Sequence, residues 1–67
     1  LLDEIKTHTL QHKKALAIMQ DLEKQYQRLA VEERKNLAYP FLTLRRGILG
    51  EQAWLAWAKE VEDFLQA

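Results

Sequence analysis

Two histidines, His8 and His12, have the spacing in this chain that most resembles a site for chemistry. Four residues apart on a helix, they share one face with Glu4, one turn earlier, and could both reach a metal ion. No glutamate stands between them, so the H-E-x-x-H signature of metalloproteases and its general base are absent. Two ligands from one helix hold a metal weakly unless a partner chain adds more. The spacing therefore favours polar seam residues, or contacts to another domain, over a metal site.

No other set of side chains has the makeup of an active site. The sequence offers no Ser/His/Asp or Cys/His set, no glycine-rich phosphate loop and no pair of carboxylates arranged for acid–base chemistry. The ten basic and ten acidic residues cancel, so no net field attracts nucleic acid or an anionic membrane. We therefore expect no catalytic residue, no cofactor and no membrane partner, and the chain is predicted not to be an enzyme.

Arg45 and Arg46 form an isolated basic pair that could contact phosphate. In a neutral chain, such a pair is a weak indication of nucleic-acid binding. We expect one arginine to pair with a carboxylate, either Glu51 or one on the first helix, and the other to be solvated.

Trp54 and Trp57 are three residues apart, and Val61 and Phe64 continue the helical spacing. An aromatic stripe of this kind is more often core or interface than a ligand site, and tryptophan is enriched at the hot spots of protein interfaces. The alternative is an aromatic sandwich that binds a planar effector. The residues by themselves favour a dimerisation contact and leave the effector interpretation open.

The first half of the chain has the pattern of one long helix, because residues 1 to about 35 contain no glycine or proline and are rich in good helix formers. Asn36 is a stop signal, and Tyr39 precedes a proline, which favours an extended backbone. The predicted helix spans about residues 2–35, with a turn at 36–39. A heptad frame gives a seam column of Ile5, His12, Met19 and Tyr26 and a neighbouring column of Leu1, His8, Ala15, Leu22 and Leu29.

The second half is predicted to be a helix over residues 40–66 that opens at Pro40, whose ring suits a first turn. Gly47 and Gly50 lie mid-helix, where each costs about 1 kcal/mol relative to alanine. They indicate either a local break or, as we favour, the close approach of a crossing helix. The apolar residues form two lines, too many for one buried face. One line holds Leu37, Phe41, Leu44, Ile48, Leu55, Ala58 and Leu65, and the other holds Trp54, Trp57, Val61 and Phe64.

A chain of 67 residues without cysteine has no disulfide to support a small core, so a partner chain is the expected way to complete it. We predict an all-α fold, an antiparallel two-helix hairpin that forms a dimeric four-helix arrangement as one domain over residues 1–67. The expected dimer interface consists of Leu44, Gly47, Ile48, Trp54, Trp57, Val61 and Phe64.

The longest apolar run is too short to span a bilayer and no signal peptide is visible, so a cytoplasmic location is expected. The start, without methionine or cap, indicates a piece of a longer protein.

The run Leu44-Arg45-Arg46-Gly47-Ile48, followed by Glu51 and Trp57, resembles the C-terminal domain of PadR-like transcriptional regulators, also called the virulence-activator C-terminal region. The resemblance is strong over residues 39–65, whereas the first helix resembles the family only in being long, charged and heptad-like. The family often has an aromatic residue just before the glutamate, where this chain has Gly50.

The resemblance implies a helical domain that dimerises and sets the spacing of two winged-helix DNA-binding domains. Relatives respond to small aromatic molecules such as phenolic acids, so the resemblance implies an effector contact at Trp54 and Trp57. No winged-helix sequence lies within these 67 residues, so DNA would be bound only through that other domain. The alternative is a structural helical hairpin, a scaffold or coiled-coil connector, with no regulatory ligand. The effector, the operator and the direction of regulation are open at this point.

Overall fold

The computed structural model describes residues 1–67 as three helices with no strand: α1 over Leu2–Gln27, α2 over Val31–Asn36 and α3 over Ala38–Gln66. The two long helices pack against each other. His12 meets Glu51 and Tyr26 meets Phe41, so α1 and α3 run antiparallel. The hairpin is a rod with extents of 51 × 14 × 13 Å. The predicted all-α hairpin is confirmed.

The first helix is shorter than predicted: it ends at Gln27 and not near residue 35. The N–H groups of Arg28 and Leu29 donate to carbonyls three residues back, which tightens the last turn, and Ala30 is extended, with φ −64° and ψ 155°. Tyr26 stacks on Phe41 at a centroid distance of 4.1 Å and donates from its hydroxyl to the Arg34 carbonyl at 3.0 Å. These contacts hold α2 against the hairpin, and no glycine or proline marks the break.

The second long helix begins two residues earlier than predicted, at Ala38, and is continuous to Gln66. Pro40 fits within the first turn because N–H groups there have no intrahelical partner. Neither Gly47 nor Gly50 has a positive φ or interrupts the helix. The alternative prediction, a local break of the helix at the two glycines, is therefore wrong.

The contact between α1 and α3, which we call the hairpin seam, uses positions spaced three and four residues apart. Their half-buried or buried side chains are Leu2, Ile5, Thr9, His12, Leu16, Met19, Glu23 and Tyr26 on α1, and Phe41, Leu44, Ile48, Glu51, Leu55, Ala58 and Glu62 on α3. The predicted column through His12 is therefore confirmed. The neighbouring column is only partly confirmed: Ala15 and Leu29 are half-buried, whereas Leu1, His8 and Leu22 are exposed. At those levels Leu2, Thr9 and Glu23 occupy the inner positions instead. Only Ile48 and Ala58 are fully buried, at 1% exposure each.

The turn contacts generate a first prediction. Tyr26→Phe keeps the stack on Phe41 but removes the hydrogen bond to the Arg34 carbonyl, so it should lower the free energy of unfolding by about 0.5 to 1.5 kcal/mol in urea denaturation. Tyr39→Phe is the matched control, because Tyr39 is 86% exposed and should tolerate the same change. Equal effects of the two substitutions would mean that the Tyr26 hydroxyl does not stabilise the turn.

Candidate dimer interface

A histidine–glutamate hydrogen bond and an ion pair join α1 to α3 inside the hairpin seam. His12 donates from Nδ1 to the Glu51 carboxylate and stacks on Trp54, with centroids 3.8 Å apart and ring planes 21° apart. Arg45 donates to Glu23 at 2.8 Å. Half-buried polar pairs add little net stability, but separating the partners is costly because each would be left without its partner. These pairs therefore fix which turns of the two helices lie side by side.

Of the two arginines, one is paired and the other is solvated, as predicted. Arg45 pairs with the carboxylate of Glu23 on the first helix, whereas Arg46 is exposed and makes no ion pair within the chain. Glu51, the other predicted partner, is engaged by His12. The arginine pair is thus split between the seam and solvent.

The two histidines are also separated, because His12 lies in the seam while His8 is exposed. The prediction that both lie on the seam is wrong for His8. No group of three or more His, Cys, Asp or Glu side chains is positioned to hold a metal ion. What the structure builds around His12 is a polar contact between helices.

The tryptophan pair lies at the outer edge of the seam. Trp54 is half-buried, with one ring face against His12, and Trp57 is 51% exposed. Their centroids are 5.9 Å apart and their planes meet at 63°, an edge-on arrangement. Edge-on rings stabilise each other but do not form the parallel walls between which a planar molecule stacks. The pair has the geometry of a packing surface.

The residues predicted for the dimer interface fall into two groups. Ile48 is buried in the seam and Leu44 half-buried there, so these two belong mainly to the hairpin itself. The others lie on one side of α3, in an uncharged strip spaced three and four residues apart. This strip, which we call the α3 strip, consists of Pro40, Thr43, Gly47, Gly50, Trp54, Trp57, Val61 and Phe64. Sequence reasoning missed Pro40, Thr43 and Gly50, although the same spacing runs back from Trp54 through all three.

The α3 strip lies on the apolar side of the hairpin. An open groove of about 520 Å³ near the turn has walls from both long helices, including Leu22, Pro40 and Thr43, and from Leu29 just after α1. The opposite side has a groove of about 310 Å³ whose walls include Lys13, Lys59 and Glu62. On the strip side, Phe64 is 82% exposed, but Leu42 and Leu49, which lie outside the strip, are also exposed, at 62% and 54%. The strip side of α3 is therefore distinguished by its lack of charge, whereas the other side mixes exposed leucines with charged residues.

The two glycines of the strip have different surroundings. A Cβ on Gly47 would lie 3.1 Å from Met19 Sδ and 3.4 Å from its Cε, whereas a Cβ on Gly50 would meet nothing within 4 Å. The predicted close approach is confirmed at Gly47 in the form of one side chain of α1 that lies against the helix. Within the single chain the prediction is wrong for Gly50, which faces open space.

Residues 1–66 match the family model described as virulence activator alpha C-term. The chain belongs to this family. The predicted resemblance is confirmed to that extent, and the match extends it to the first helix. Comparison with curated proteins and with solved structures gave no match. None of the three helices of this virulence-activator C-terminal domain combines the length and apolarity needed to cross a membrane.

The contact at Gly47 generates a second prediction. Gly47→Leu should destabilise the virulence-activator C-terminal domain by roughly 1 to 3 kcal/mol, because the larger side chain would displace Met19 from the seam. Ala56→Leu is the control, since Ala56 is exposed on α3 and both residue types favour helices. Urea denaturation of both variants measures the difference. Unchanged or increased stability in Gly47→Leu would show that the Met19 contact imposes no constraint.

Proposed function

We propose that this virulence-activator C-terminal domain is the homodimerisation domain of a PadR-like DNA-binding transcriptional regulator. The observation that carries the proposal is the uncovered apolar side of the hairpin. The α3 strip has no charged residue, and its large members Trp57 and Phe64 are 51% and 82% exposed. Exposed aromatic side chains that cluster on one side are typical of an interaction surface.

The thin core supports the same proposal. Two fully buried residues in a chain of 67 leave little apolar surface removed from water to offset the entropy of ordering three helices. A second hairpin against the apolar side would bury both strips and complete a four-helix core. Dimerisation would therefore stabilise each chain as well as join two of them.

In the intact regulator, the domain would set the distance between two DNA-reading domains. DNA contacts belong to a winged-helix domain outside these residues, and the proposed location is the cytoplasm. The isolated domain is proposed to be neither an enzyme nor a DNA reader, in keeping with its balanced charge.

A structural hairpin without a regulatory ligand is the second candidate. The geometry at Trp54 favours it, because His12 covers one ring face and Trp57 meets the ring edge-on. An effector that binds between the tryptophans would have to move one of these side chains. We therefore propose that an aromatic effector, where the regulator has one, uses surfaces of both domains.

Assembly is tested by sedimentation equilibrium, in which the domain should be a homodimer at micromolar concentration. Trp57→Ala should weaken the dimer by about 2 kcal/mol or more if this side chain anchors the interface. Leu49→Ala is the matched control, because Leu49 is 54% exposed on the same helix and lies outside the α3 strip. A folded monomer in the wild-type sample would contradict the proposal, and equal losses in both variants would place the interface elsewhere.

Effector binding is tested on the isolated domain and on the full-length regulator. Titration with phenolic acids should give weak or no tryptophan quenching in the domain and measurable binding in the full-length protein. Calorimetry should accompany fluorescence, since the apolar groove at the turn lies about 18 Å along α3 from Trp54. Saturable binding to the isolated domain at low micromolar ligand would contradict the shared site. No binding to either protein would favour the structural hairpin.

A further inference from the structure

His12 connects the hairpin seam to the α3 strip. It donates from Nδ1 to the Glu51 carboxylate, and its ring stacks on Trp54, a member of the strip, with centroids 3.8 Å apart. Histidine is the side chain that ordinarily changes charge between about pH 5 and 8. We propose that His12 is a pH-sensitive switch, whose protonation strengthens the contact between α1 and α3 and holds Trp54 in place within the strip. The switch operates within one hairpin, so it does not depend on the proposed homodimerisation.

The two ring nitrogens of His12 have different surroundings. Nδ1 donates its hydrogen to Glu51, so the nitrogen that carries no proton in the neutral ring is Nε2. Nε2 makes no hydrogen bond within the chain and is not buried, and 30% of the side chain is exposed. A proton from solvent can therefore bind the Nε2 lone pair without breaking any contact of the hairpin.

The charge that protonation adds is attracted by two neighbours on α3. A hydrogen bond from a protonated imidazole to the Glu51 carboxylate is charge-assisted and stronger than one from a neutral imidazole. The ring planes of His12 and Trp54 meet at 21°, so the positive ring would lie over the negative face of the indole. Burial opposes a charge, but the His12 side chain is 30% exposed, which keeps this cost small. An unfolded chain makes neither contact, so protonation should stabilise the hairpin.

The other charged groups around His12 do not cancel this attraction. Glu51 is the charged residue of α3 that contacts it, and towards the turn Arg45 is paired with Glu23. Towards the other end of α3, Lys59 and Glu62, which are of opposite sign, line the groove of about 310 Å³ together with Lys13. On α1, Lys13 and His8 are exposed, so solvent and salt screen their charges. The short helix α2 packs near Tyr26, at the turn end of the hairpin.

The attraction exists only while His12 is protonated and Glu51 is ionised. It is therefore lost as the pH rises through the range in which histidines lose their proton, and it is lost again where carboxylates gain one. The window in which both charges are present is about pH 5 to 6. Since Trp54 belongs to the α3 strip, acidification into this window should hold one aromatic residue of the strip more firmly. The surface that the hairpin presents thus responds to pH through a single side chain.

Titration of tryptophan fluorescence tests the contact between His12 and Trp54. The substitution Trp57→Phe leaves Trp54 as the only tryptophan of the chain. A protonated imidazole against an indole ring quenches its emission more than a neutral one, so the emission should fall in one step as the pH is lowered from about 8 to about 5. Adding His12→Asn should abolish this step. Adding His8→Asn is the matched control, because His8 is the other histidine and is exposed, and the step should remain.

Urea denaturation at about pH 6 and about pH 8 measures the effect on stability. At one chain concentration, the unfolding equilibrium constant of the wild type should be about three-fold smaller at the lower pH. The difference should disappear in His12→Asn, which retains the other titrating groups. Glu51→Gln keeps the shape of the side chain but removes its charge, so it should also reduce the difference, and it guards against a His12→Asn variant that fails to fold. Circular dichroism verifies that each variant is helical.

The outcomes separate the switch from dimerisation. A fluorescence step that requires His12 but not His8, together with a stability difference that requires His12 and Glu51, supports the switch. A step that persists in His12→Asn, or a wild-type stability that is the same at the two pH values, overturns it. Sedimentation equilibrium reports on the other proposal, since a wild-type monomer would contradict homodimerisation and leave the switch standing.

Discussion

The contact between α1 and α3 is the constraint on which the rest of this domain depends, and it is thin. Two helices can bury only the narrow stripe along which they touch, so only Ile48 and Ala58 are fully covered. Each helix keeps an uncovered flank, and on one side of the hairpin that flank is apolar. A rod of this shape has a small interior, and domains of this size often use a partner chain to complete their core. The uncovered side is the observation that supports the proposed homodimer.

Polar contacts in the seam give the hairpin its alignment. His12 with Glu51 and Glu23 with Arg45 occupy places that apolar residues would fill in a seam built for stability alone. Paired polar groups contribute little net stability when half-buried, but an alignment that separated them would leave each without its partner. The polar side chains in the seam therefore reduce its apolar contact area but define the relative position of the two helices. That position in turn determines where the aromatic residues of α3 lie.

The residues that carry the family resemblance divide into two physical roles. Within the hairpin, Arg45 and Glu51 pair with α1, Gly47 admits Met19 and Ile48 fills the core. Arg46 and Trp57 are both exposed, and no side-chain hydrogen bond, ion pair or ring contact joins either of them to α1. The motif therefore describes a helix with one set of residues for its own chain and a second set directed outwards. An outward set fits a domain whose proposed role is to join two copies.

The sequence by itself determined the helical class, the antiparallel hairpin and the seam column through His12, because spacing of three and four residues is a local property of the chain. It did not determine which neighbouring column completes the seam, since Leu22 and Glu23 are adjacent and only the pairing of Glu23 with Arg45 selects between them. The end of α1 at Gln27 was likewise not marked in the sequence, and there Tyr26 makes contacts with Phe41 and Arg34 that reach across the turn. Gly47 and Gly50 look alike in sequence, yet one faces Met19 and the other faces open space. In each case the deciding contact comes from residues distant in sequence, which local propensity cannot encode.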